Sequence, residues 1–159
     1  ISAHKIKKIL ISHWHGDHVA GLTGLLQTIG NFTSEEEKTI TLYGPRGSQA
    51  FMDHLYQACV FEIKLQVKVV ELEPQGLEEF YRNQEYTLAC APLEHSVPTL
   101  GYRFTRNARR RVDASKLQQH RVPTGPHVAQ LQAGKDIEWD GKEIKSEEVC
   151  SIEIGRAHV

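Results

Sequence analysis

Residues 13 to 18 read His-Trp-His-Gly-Asp-His, directly after the apolar run Ile9-Leu10-Ile11. This juncture constrains the fold more than any other stretch. Three imidazoles and a carboxylate at the end of a buried strand are hard to explain by packing, because each polar atom buried without a partner costs on the order of 1–3 kcal/mol. Metal ligation accounts for them, and imidazole with carboxylate suits zinc, iron or manganese. His13 and His15, two apart at a strand end, can point to one side and share an ion. Asp17 and His18 lie past the Gly16 turn and can reach a second one. The pattern fits a two-metal hydrolase.

The flanking pattern supplies strands and helices in alternation. Ile6 to Ser12 is predicted to form a buried strand and Ala20 to Ile29 a helix with Leu22, Leu25, Leu26 and Ile29 on one face, closed by Gly30-Asn31. Ser34 to Lys38 reads as a solvated turn, Thr39 to Tyr43 as a strand, and Ser48 to Cys59 as a helix after the Gly44-Pro45-Arg46-Gly47 turn. From Phe61 to Val69 apolar residues hold every odd position, which predicts a strand with one wet face. Phe80-Tyr81 and Tyr86 to Leu93 read as a hairpin, and Gly101 to Phe104 as a further short strand.

Past Thr105 the character changes. Arg106, Arg109, Arg110 and Arg111 form a basic cluster, Asp113 to His120 is a short polar helix candidate, and residues 122–126 must turn. From there to Ser151 the chain is polar with few anchors (Val128, Leu131, Ile137, Trp139, Ile144), so it is expected to be an excursion from the main body rather than more core.

Composition narrows the class only slightly. The 159 residues suffice for one domain, and 19 Lys+Arg against 20 Asp+Glu leave global charge neutral on the question of nucleic acid. Cys59, Cys90 and Cys150 are far apart, odd in number and without CxxC spacing, which fits reduced thiols of a cytoplasmic protein. No apolar run approaches the roughly 18 residues of a membrane span, and no signal peptide opens the chain. The only methionine is Met52, so the chain as it stands has no initiator, and Glu153 to Val159 can be back-translated into a widely used sequencing-adapter sequence. The expectation is that residues 153–159 are adapter-derived and that His158 is no ligand.

The hexapeptide resembles the signature of the metallo-β-lactamase superfamily. Its surroundings narrow the match. The stretch His13 to Thr28 is similar to that of the ribonuclease Z family of tRNA 3′-processing endonucleases. So are Tyr43-Gly44-Pro45-Arg46-Gly47, the segment Pro92 to Tyr102, and Gly125-Pro126 with Leu131 and Gly134-Lys135. The resemblance runs in order over nearly all of residues 5–151. It implies an α/β fold, part of an αββα sandwich over residues 1–104, with an inserted exosite arm over 105–152.

Residue by residue, the resemblance implies that His13, His15 and His95 bind one zinc. Asp17 and His18 would bind a second, with Asp17 also the general base. Read alone, His95 is a plain loop histidine, His4, His54 and His120 are surface residues, and Trp14 packs. The substrate implied is precursor tRNA, cut 3′ to the discriminator base to leave a 3′-hydroxyl. The protein implied is a homodimer in which one subunit's arm serves the other's active site. Arg106, Arg109, Arg110 and Arg111, with Gly125 and Pro126, would contact tRNA through phosphate. The family's metal-bridging aspartate, its further histidine ligand, a late histidine and an early Asp-Cys-Gly-Glu-Gly-Thr strand have no counterpart in this chain. The chain is therefore expected to carry half of the metal pair and to be inactive alone. Two rivals remain open at this point: another hydrolase of the same superfamily (lactonase, thioesterase or phosphodiesterase), and a catalytically inactive RNA-binding relative.

Overall fold

A computed structural model of the chain describes residues 2–32, 38–58, 60, 64–153 and 157–158. The features expected at 34–37 and 61–63, the Cys59 thiol, and 154–156 and 159 of the tail lie outside the described residues. By contact, the described chain divides into two units. One takes 1–80 and 89–103, the other 81–88 and 104–158.

In the first unit a 3-10 turn at Ala3–Lys5 leads into strand β1 (Lys8–Leu10), shorter than the predicted 6–12. Helices α1 (Gly16–Val19) and α2 (Leu22–Asn31) follow, then β2 (Thr39–Pro45), α3 (Ser48–Ala58) and β3 (Gln66–Leu72). The three strands form one sheet, order β1-β2-β3. Both pairs are parallel: Lys8 faces Thr41 in the first, and Thr39 faces Gln66 in the second. Parallel neighbours need crossover connections, and the helices provide them.

Leu22, Leu26 and Ile29 recur on one face of α2 and bury against Ile11, Ile40, Leu42, Met52 and Leu65. Gly30 and Asn31 do not close this helix; both lie within it. A Cβ on Gly30 would stand 3.4 Å from Lys64 Cβ and 3.7 Å from Leu65 Cδ2, ordinary packing distances, so this glycine is neither a stop nor a requirement of close approach. Of the strand predicted over 61–69, the described part from Gln66 lies in β3, which runs on to Leu72. Its register against β2 runs on to Pro45 opposite Leu72.

Strands β4 (Glu78–Arg82), β5 (Tyr86–Leu93) and β6 (Thr99–Arg106) come next, in a sheet of order β11-β6-β5-β4, where β11 is Ala157–His158. The rest of the second unit comprises β7 (Arg109–Val112), α4 (Ala114–Gln119), α5 (Pro126–Gln132), β8 (Ile137–Trp139), β9 (Lys142–Ile144), α6 (Ser146–Val149) and β10 (Cys150–Glu153). β7 pairs antiparallel with β10, and β8 with β9. The β8–β9 turn is Asp140-Gly141, with φ of 53° and 71°, the doubly positive conformation of a two-residue hairpin.

The segment expected to be an excursion with few anchors has more of them than the five named from sequence. Leu117, Val122, Leu131, Ile137, Ile144 and Val149 form a buried cluster of their own, with Val112, Val128, Trp139 and Cys150 packed against it. Two hydrogen bonds tie it together: Ser146 Oγ donates to Leu131 O (2.7 Å), and Asp136 Oδ1 accepts from Ser146 N (2.7 Å). Among the described residues no helix is long and apolar enough to cross a membrane.

Candidate metal centre

The histidines at the end of β1 stand on a tightly pinned stretch of backbone. Ile11 N donates to Tyr43 O (2.8 Å), and Leu100 N to Ser12 O (2.9 Å). The Tyr102 hydroxyl donates to Ile11 O (2.8 Å). Burial pushes the Tyr102 phenol well above its ordinary value, so it stays a neutral donor. These bonds hold the residues before His13 from the neighbouring strand β2 and from β6. The chain then turns into α1, whose first residue is Gly16 and whose N-cap is His15.

His13, His15 and His95 come together. Each offers a ring nitrogen, and the three nitrogens lie within 4.8 Å of one another. Ring centroids are 4.9 Å apart for His13–His15, 4.9 Å for His13–His95 and 5.1 Å for His15–His95, each pair nearly perpendicular. His95 arrives from the turn between β5 and β6 and is exposed; His13 is buried. Ser12 Oγ lies 3.0 Å from His13 Nδ1, which leaves Nε2 for a ligand. Burial holds His13 below the ordinary histidine value, aided by the positive fields of His18, His95 and His15 and opposed by Asp17. It is therefore kept neutral, the form in which an imidazole binds metal. Three converging imidazole donors at this spacing fit a zinc-type ion.

Asp17 and His18 are placed differently. The His18 ring is 4.2 Å from that of His13, and its Nε2 is 3.4 Å from Asp17 Oδ2. Their side chains are 80% and 51% exposed for Asp17 and His18, and neither belongs to the three-histidine group. Two such donors do not enclose an ion among the described residues.

Residues that sequence reasoning passed over sit behind the histidines. Trp14 does pack: its ring stacks on Phe51 at 5.2 Å, and its Nε1 donates to Ser48 Oγ (2.8 Å). Ser48 is fully buried and donates in turn to Pro45 O (2.6 Å). A Cβ on Gly44 would run into the Ser48 hydroxyl, so this glycine is required by close approach. The available signal is the Tyr43-Gly44-Pro45-Arg46-Gly47 run, which marks a turn and carries part of the family resemblance but does not by itself point to Ser48.

The arginines of the second unit have separate environments. Arg109 Nε donates to Glu153 Oε2 (2.9 Å), and Arg106 and Arg109 both line a cavity. The Arg110 guanidinium lies over Gly134, whose own φ is +81°. Arg111 faces Ser151 across the β7–β10 pair and is exposed. Gly125 and Pro126 are exposed at the start of α5. His54 and His120 are exposed, and His4 Nδ1 contacts Ser2 Oγ (2.9 Å).

A family model described as the beta-lactamase superfamily domain matches residues 1–114. A ribonuclease Z of Prochlorococcus marinus (strain MIT 9312) is 32% identical over 154 residues, covering 94% of this chain and 49% of that protein. A ribonuclease Z of Methanosarcina mazei is 36% identical over 145 residues, covering 91% and 46%. The crystal structure of human tRNase Z, short form, is similar with a TM-score of 0.56 and 26% identity, over 65% of this chain and 45% of that one. The chain thus spans about half the length of the curated relatives it matches.

Proposed function

This chain belongs to the beta-lactamase superfamily, and from that premise we propose that it is part of a zinc-dependent endoribonuclease that removes the 3′ trailer from precursor tRNA. The activity belongs to the longer protein that carries the chain. The cut is a phosphodiester hydrolysis leaving a tRNA 3′-hydroxyl. The observation that carries the reading is the convergence of His13, His15 and His95 in a chain that aligns along 94% of its length with a ribonuclease Z.

His13, His15 and His95 would hold one zinc, and Asp17 with His18 would contribute to a second site completed by residues outside this chain. Bound zinc supplies Lewis-acid stabilisation of charge on phosphoryl oxygens. The exposed Asp17 carboxylate, steered by His18, takes the proton from the attacking water. Arg106, Arg109 and Arg111 offer forked donors to RNA phosphates, with Arg110 and the Gly125-Pro126 corner alongside them in sequence. We assign the protein to the cytoplasm, which free Cys90 and Cys150 support, and to a homodimer.

The test is cleavage of a 3′-extended precursor tRNA by the full-length protein. Trailer release that falls about 10²–10⁴-fold in Asp17→Ala supports the assignment. Turnover of thioesters but not of precursor tRNA or bis-p-nitrophenyl phosphate would reject it in favour of another hydrolase of the superfamily.

A further inference from the structure

The second unit contains a cavity of about 320 Å³ that shares no residue with the histidine cluster. Glu85, Tyr86, Phe104, Arg106, Asn107 and Arg109 line it. Tyr86 and Phe104 stack face to face at 5.1 Å with 26° between their planes, and Tyr81 extends the aromatic row at 5.5 Å from Tyr86. Phe104 is nonetheless 40% exposed.

The wall carrying these rings is held by a closed set of hydrogen bonds. Asn83 Oδ1 accepts from Glu85 N (2.9 Å) and Tyr86 N (2.8 Å). Asn107 donates from Nδ2 to Asn83 O (2.8 Å) and from its backbone to Glu85 O (2.8 Å), while its Oδ1 accepts from Thr87 Oγ1 (3.1 Å). The shape is therefore formed in advance of any ligand, and Asn107 serves the frame.

The chemistry on offer is an exposed aromatic face beside two guanidinium groups. A ligand that uses both carries a flat ring and an anion. At about 320 Å³ the space sits near the bottom of the range of roughly 300–1,000 Å³ for small-molecule sites, room for one nucleotide and not for a duplex. Single-stranded RNA is read in this way, base on aromatic ring and phosphate on basic side chain. Glu153 engages the Nε of Arg109 and competes for that charge.

We propose that this cavity is a subsite for one unstacked ribonucleotide unit of an RNA strand, its base on Phe104 and its phosphate at Arg106 and Arg109. The choice of an RNA strand over a free nucleotide rests on the function proposed above; the ring-and-phosphate chemistry does not.

The experiment titrates the full-length protein in EDTA with cytidine 5′-monophosphate, cytidine, inorganic phosphate and the trinucleotide CpCpC, read by calorimetry and amide chemical shifts. Saturable binding is expected, with the monophosphate tighter than cytidine or phosphate and the trinucleotide tighter still. Phe104→Leu keeps an apolar side chain and removes the ring, and should weaken the monophosphate about tenfold. Arg106→Gln should bring the monophosphate down to the level of cytidine. Circular dichroism of each variant checks that the fold is retained. No saturable binding, or binding unchanged in both Phe104→Leu and Arg106→Gln, overturns the subsite. A monophosphate that binds as tightly as the trinucleotide overturns the RNA strand as its ligand. Because no cleavage is measured, failure here is separate from failure of the trailer assay.

Discussion

Ser12 shows how a residue without ligand character can govern one that has it. Its hydroxyl lies 3.0 Å from His13 Nδ1, which occupies that nitrogen and leaves Nε2 for a ligand. Such supporting bonds typically carry about 10–100-fold in metal affinity. Ser12→Ala should therefore weaken zinc binding by about that factor with little change in circular dichroism, as measured by competition with a chromophoric chelator. The residue types at this site were legible in the sequence, since four ligand-type side chains in six positions are a local fact. The partner of Trp14 was not. The indole donates to Ser48 across a sequence separation of 34, and no local pattern encodes a contact at that distance.

At the scale of elements, helix α4 is set by its cap. Asp113 accepts from Ser115 N and Lys116 N and from the Ser115 hydroxyl. The Ser115 side-chain and backbone bonds hold its carboxyl below the ordinary value of 3.8. A carboxyl depressed in the folded state contributes stability that is fully present above the unfolded value and lost as pH falls through the folded one. The thermal midpoint should drop on acidification below about pH 4, and Asp113→Asn, which still caps but does not titrate, should drop less over the same interval.

The same scale explains which elements were misjudged. Strand β3 was expected to end at Val69 because Val69-Val70 breaks the period-two pattern. Pairing with β2 carries the strand through that break: Val69 faces Leu42, Val70 faces Tyr43, and both valines are half-buried. In the second unit Leu131, Ile137 and Ile144 were legible as anchors, but not their union with Leu117, Val122 and Val149, because the elements there are only three to seven residues long. Elements so short show no periodicity of their own. Asp140-Gly141, by contrast, was a legible hairpin signal that the reading passed over.

At the scale of the whole molecule, the donor census predicts a metal stoichiometry. Among the described residues, one group of three histidines, with the exposed Asp17–His18 pair outside it, should give a single tight zinc per chain, counted by native mass spectrometry. Zinc that binds the folded chain alone should raise its stability by about 2.7 kcal/mol at a free concentration 100 times Kd. EDTA should remove that increment, and His95→Ala should abolish it while leaving the metal-free melting temperature close to that of the parent. Two equally tight zincs, or a zinc effect undiminished by His95→Ala, would contradict the census.

What the sequence by itself determined is what covalent spacing determines. His13 and His15 fall two apart after an apolar run, a helix follows Gly16, and the ordered motifs resemble one family from residue 5 to 151. Read from its own neighbours, His95 was a loop histidine, and only the resemblance nominated it as a ligand. Tertiary structure decided that its ring stands 4.9 Å from His13, that Ser48 and Phe51 hold Trp14, that the polar segment has its own core, and that the arginines divide between an ion pair, a glycine backbone and a cavity. The reason is physical. Spacing along the chain fixes direction only over a turn or a strand, whereas contacts between distant residues depend on sheet register and on which apolar faces find each other.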